Sequence, residues 1–183
     1  MGLTNFPNGI TSFGVPVIGS GSKIPVTTGS YFYVDSVTGS SGNDGKSPTS
    51  ALALVDQAIN KTTANKYDVI IIMPGHAETV TATSIALDIA GVQVVGLGSG
   101  LKRPTFTYGA AAATITVSGA NCSWRGCHFI GNFLDVAAAF TLGAAKDFVL
   151  DNNTCRDNTA SLGFLSIVVT GATDNDADGL TVT

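Results

Sequence analysis

Apolar and polar residues alternate in short runs along the second half of the chain, and the runs close on glycine. The segments Ile85 to Gly91, Ala113 to Gly119, Ala138 to Gly143 and Ser166 to Gly171 form one family, and their closing glycines are 28, 24 and 28 residues apart. A second family follows: Val92-Gln-Val-Val, Cys122-Ser-Trp-Arg, Phe148-Val-Leu-Asp and Leu180-Thr-Val-Thr. Alternation with period two predicts strands. Two or three short strands in a period of roughly 25 residues predict a solenoid, because one coil finds a core only by stacking on the next. In register, Val92, Cys122, Phe148 and Leu180 make one inward column, and Val94, Trp124, Leu150 and Val182 another. The same count turns Cys127 inward and places Cys155 beneath Phe129.

Upstream the pattern changes. Residues 31–36, Tyr-Phe-Tyr-Val-Asp-Ser, predict a strand from their aromatic and β-branched content, and Gly39 to Gly45 a turn-rich loop. Leu52, Val55, Ala58 and Ile59 share one helical face behind Pro48 and Thr49, which predicts a short helix covering the end of the core. From Met1 to Val34 the only charged side chain is Lys23. The apolar residues there, Leu3, Phe6, Ile10, Phe13, Val15, Val17 and Ile18, are too interrupted by Pro7, Gly9, Gly14 and Pro16 for a helix. They predict an extended partner-binding arm, whose roughly 30 residues reach on the order of 100 Å. The expected organisation is an arm over 1–30, a cap of strand, loop and short helix over 31–67, and parallel coils over 68–183.

Composition narrows the class. Only 12% of residues are charged and there is a single glutamate, Glu78, which leaves little material for surface helices. A net charge of −4 with nine dispersed Lys and Arg offers no basic stripe for nucleic acid. No basic stretch precedes an apolar run at the start, and no window reaches the roughly 18 apolar residues of a membrane span. The expectation is synthesis in a cytosol, with neither nucleic acid nor membrane as partner. Cys122, Cys127 and Cys155 are odd in number and lack metal-ligand spacing, so they read as small core residues rather than disulfides or zinc ligands.

Tyr33 to Pro48 with its Asn43-Asp44-Gly45 loop, then Ala51 to Asn60, then Asp68-Val-Ile-Ile-Ile-Met-Pro-Gly75, resemble the opening of pectate-lyase-like right-handed β-helix proteins. That resemblance implies an all-β, right-handed parallel β-helix with a short N-terminal capping helix, and it says little about activity. Met1 to Val17 is similar to the openings of phage proteins of the capsid-decoration or head-surface type. This second resemblance implies a structural protein of a virion.

Candidate chemistry is sparse. A glycosidase needs two carboxyl groups roughly 5 to 9.5 Å apart. The outward columns read Asp88, Thr116, Thr141 and Val168 on one sheet and Gln93, Ser123, Val149 and Thr181 on the other, which supply one lone Asp. A pectate-type lyase needs aspartates holding calcium beside a basic residue; Arg125 and Asp151 stack as neighbours and read as a surface ion pair. His76 and Glu78 follow the Pro74-Gly75 turn as a possible acid and base, with His76 read as a turn residue. Asn132, Asn152, Asn153 and Asn158 fall at coil corners. Asp174 to Gly179 matches the first half of a calcium loop, but the glutamate due at the twelfth position falls past Thr183, so it reads as an acidic turn.

The function expected from the sequence is therefore a non-enzymatic capsid decoration or head-surface protein of a phage, without catalytic residues, metal or cofactor. Its expected partners are itself, as a homotrimer, and a major capsid or other virion protein gripped by the arm. Alternatives are a carbohydrate-binding or depolymerising tailspike, and a cell-surface adhesin or fibre.

Overall fold

A computed structural model describes residues 24–82, 84–171 and 176–183, together with the backbone of two short strands, β1 (Thr11–Ser12) and β2 (Val15–Pro16), which pair antiparallel. Of the residues assigned to the arm, Leu3, Phe6, Ile10, Phe13, Val17 and Ile18 lie outside the described residues, and Val15 is described only in its backbone.

The architecture is a parallel β-helix. One six-stranded sheet runs β3 (Tyr31–Val34), β4 (Val69–Ile72), β7 (Gln93–Gly96), β10 (Ser123–Arg125), β13 (Val149–Asp151) and β16 (Thr181–Val182), each parallel to the next. A four-stranded sheet holds β5 (Ala77–Val80), β8 (Thr105–Tyr108), β11 (His128–Gly131) and β14 (Thr154–Asp157). A third holds β6 (Ile85–Leu87), β9 (Ile115–Val117), β12 (Phe140–Leu142) and β15 (Val168–Thr170). The chain visits the three sheets in turn, so each coil hydrogen-bonds to its predecessor and buries its inner side chains against it. Among the described residues helix is confined to two single 3-10 turns and α1 (Val55–Ile59), whose Val55, Ala58 and Ile59 are fully buried over the first coil.

The register aligns Val94, Trp124, Leu150 and Val182 in adjacent strands. One residue earlier, Ser123 donates to the Val92 carbonyl, Val149 to that of Cys122 and Thr181 to that of Phe148, so these carbonyls form a second ladder. Val92, Val94, Cys122, Trp124, Phe148 and Leu150 are buried, and Leu180 is half-buried. Val182 departs from its assignment to the core. It lies in register with Leu150 yet is 65% exposed, because β16 has a strand neighbour on one side and no described coil covers the other. The interior is aromatic: Phe106 meets Trp124 edge-on at 5.4 Å, and Phe129 meets Phe140 at 4.9 Å, geometries that add to plain area burial. Tyr108 brings a polar group into it, and its hydroxyl donates to the Ala139 carbonyl at 2.8 Å.

A second apolar cluster sits on the opposite face of the six-stranded sheet. Val69, Ile71 and Val95 alternate with the core positions Ile70, Ile72 and Val94 and are nonetheless at most 1% exposed, with Ile24, Tyr31, Tyr33, Met73 and Leu97 packed against them. Strand β4 is thus apolar on both faces, as strands covered on both sides are.

Two outward positions differ from the sequence reading. Thr116 and Thr141 align with Ala86 and Val169, so Val168 sits in the inward register beside Phe140, and exposed Asp88 follows β6 rather than facing Thr116. The closing glycine of each run is not a fixed distance from its strand, which shifted the count at both ends of the column.

Candidate functional site

Several acidic residues hold backbone N–H groups, Glu78 among them. It lies on β5 with its side chain turned inward, 8% exposed, where Oε2 accepts the Val55 N–H at 3.0 Å and lies 3.1 Å from Nε2 of His76. His76 closes the turn through Pro74 and Gly75, its N–H donating to the Met73 carbonyl at 3.2 Å, and its ring, 1% exposed, points into the first coil against Phe106 at 5.7 Å. An acid and a base meet, but they meet under α1, where the carboxylate satisfies the first N–H of the helix.

Asp68 is 3% exposed and accepts the N–H groups of Ser30 and Thr63, tying the segment before β3 to the connection before β4. Asp56 accepts the Ala86 N–H at 3.1 Å, and Asp157 that of Phe164 at 3.0 Å. In the Asp174–Gly179 stretch, Asp174 and Asn175 lie outside the described residues. Asp176 is 8% exposed and takes the Ala144 N–H of the preceding coil at 3.0 Å. Among the described residues no three His, Cys, Asp or Glu side chains converge as metal ligands.

The asparagines bind coil to coil. Asn153 accepts the Cys127 N–H and donates to the Trp124 carbonyl at 2.7 Å. Asn158 donates to Asn132 Oδ1 at 2.6 Å, and Asn152 adopts φ of +50°, the left-handed region that asparagine tolerates. Packing also favours the protonated thiols. Burial pushes Cys127 up to about 12 and Cys155 up to about 11, and it raises Cys122 as well.

Arg125 and Asp151 occupy adjacent outward positions of the six-stranded sheet, with Nε to Oδ2 at 4.0 Å and side chains 30% and 40% exposed. Asp151 also accepts the Thr183 hydroxyl. They line a cleft of about 220 Å³ with Val95, Gly96, Gly126 and Asn152. Its shape depends on the two glycines. A Cβ on Gly96 meets Cys127 Sγ and the Gly126 carbonyl oxygen at 2.7 Å each, and Gly126 has φ of +78°. The cleft carries one cation and one carboxylate. A solvated pair at this separation contributes under about 1 kcal/mol, and no second carboxylate stands across the opening.

Comparison with known proteins supports the fold. No family model matches the chain, and no curated protein does. A solved structure described as a rhamnogalacturonan lyase is similar at a TM-score of 0.50 and 19% identity, over 70% of this chain and 38% of that one. The chain thus spans well under half the length of that enzyme. At this identity the likeness establishes the parallel β-helix fold alone.

Proposed function

We propose that the chain is a structural protein of a phage particle, of the capsid-decoration or head-surface type, held to the particle through its N-terminal segment. The observation that carries this reading is the second apolar cluster. A sheet face that handles polysaccharide presents polar and aromatic side chains to solvent, whereas Val69, Ile71 and Val95 are buried beneath Ile24 and its neighbours. The chain preceding Ile24 holds the apolar residues Leu3, Phe6, Ile10, Phe13, Val15, Val17 and Ile18 and one charged side chain, Lys23. Such a segment has poor standing in water and gains from covering an apolar surface. The carboxylates add support, since Glu78, Asp68, Asp56, Asp157 and Asp176 each hold backbone N–H groups. The experiment is immunogold labelling of purified particles with an antibody to the chain, combined with mass spectrometry of those particles. Labelling of the head supports the reading; absence of the chain from washed particles overturns it.

The Arg125–Asp151 cleft favours a second reading, a glycan-binding or depolymerising tailspike. The two are separated by incubating the protein with host-envelope polysaccharide and assaying for reducing ends and unsaturated sugars. The structural reading expects neither product.

A further inference from the structure

Three of the six lysines, Lys46, Lys61 and Lys66, line a single cleft of about 360 Å³ at the capped end of the β-helix, together with Thr28, Ser30 and Thr63. The lysines come from two separate segments, the loop ahead of the first 3-10 turn and the connection from α1 to β4. Their convergence is built into the fold. Asp68, beneath the cleft, ties the connection that carries Lys61 and Lys66, through Thr63 N–H at 2.8 Å, to the segment before β3, through Ser30 N–H. Gly29 allows that closeness, since a Cβ there would collide with the Lys66 carbonyl and the Asp68 carboxylate. Lys46 is positioned by Phe32, with Nζ 3.7 Å from the ring centroid.

The three lysines of this cleft are not ion-paired among the described residues. Among the described residues none of the three ammonium groups has a carboxylate oxygen within 4.0 Å. Asp68 is in the lining but is 3% exposed and committed to two backbone donors, while exposed Asp44 faces Lys46 from its own loop at longer range. A chain of net charge −4 thus concentrates three cations around one opening.

We propose that this cleft binds a phosphate monoester carried on a hydroxylated body, a sugar or polyol phosphate. Three ammonium groups exceed what a lone carboxylate of one charge balances, whereas a phosphate monoester brings about −1.5 to −2 at neutral pH. Lysine binds phosphate as a point charge, with no demand for the planar geometry an arginine fork imposes. The volume exceeds what a bare oxyanion fills and falls in the range of small-ligand pockets, roughly 300 to 1,000 Å³, and the threonine and serine side chains supply hydroxyl partners for the body. The proposal stands independently of the virion assignment.

The test titrates the full-length protein with glucose 6-phosphate, inorganic phosphate, glucuronate and glucose at low salt, following backbone amide shifts. The sugar phosphate is expected to bind more tightly than the other three probes, shifting the amides of Ser30, Thr63 and Lys66. Lys61→Gln with Lys66→Gln is expected to weaken it at least about tenfold while leaving the thermal melt unchanged, because both side chains are exposed. Three outcomes overturn the proposal: no shift at millimolar sugar phosphate, glucuronate binding as tightly as the phosphate, or binding unchanged in the double variant.

Discussion

Glu78 Oε2 lies 3.1 Å from His76 Nε2, and the same oxygen receives the first N–H of α1. The contact fastens the capping helix to the first coil. Removing the acceptor leaves a buried N–H unpaired, at a cost of about 1 to 3 kcal/mol. Glu78→Ala is expected to lose that much in denaturant melts and Glu78→Gln, which keeps a carbonyl oxygen in place, distinctly less. Equal losses from the two variants would show that the bond to Val55 carries no stability.

Trp124 and Val182 occupy one inward column and differ in what covers them. Trp124→Ala, at 0% exposure, is expected to cost about 3 to 5 kcal/mol as a large-to-small core change. Val182→Ala, at 65% exposure, is expected to stay within about 0.5 kcal/mol. Urea melts of both variants measure the difference directly, and similar losses would contradict the difference in burial between the two positions.

The thiols set a pH dependence. Burial raises Cys127 from 9.0 to about 12, so the folded state holds its proton where the unfolded chain releases it. Its contribution is therefore complete below pH 9 and declines as pH rises from 9 toward 12. Stability measured across that window is expected to fall, and Cys127→Ala to flatten the fall while lowering stability at neutral pH. An unchanged alkaline slope in the variant would place the responsible group elsewhere.

The sequence made two of the three sheets legible and the third only at one rung, where Cys155 falls in register with Phe129. Strands β6, β9 and β12 present Ile-Ala-Leu, Ile-Thr-Val and Phe-Thr-Leu, with apolar side chains at both inward positions, and β7, β10 and β13 align through Val94, Trp124 and Leu150. The sheet of β5, β8, β11 and β14 has no such uniformity: the inward pairs are Glu78 and Val80, Phe106 and Tyr108, Phe129 and Gly131, then Cys155 and Asp157. Its connections also vary, from two residues between Arg125 and His128 to eight between Gly96 and Thr105, so no fixed spacing announces it. The burial of His76 escaped for the same reason. A histidine after Pro-Gly resembles a surface turn until the helix that covers it is placed, and that helix is brought over it by tertiary packing. The lysine cleft was equally hidden, since Lys46 and Lys61 come to line one opening only once β3 and β4 pair.

The account turns on the N-terminal segment as the attachment element, and the direct measurement is to delete residues 2–23 and quantify incorporation of the shortened protein into particles beside the full chain. The account predicts that the shortened protein keeps its β-rich circular dichroism and cooperative melt, since the coils from β3 onward supply their own ladder, yet no longer joins the particle. A folded, shortened protein that decorates particles as well as the full chain would contradict it.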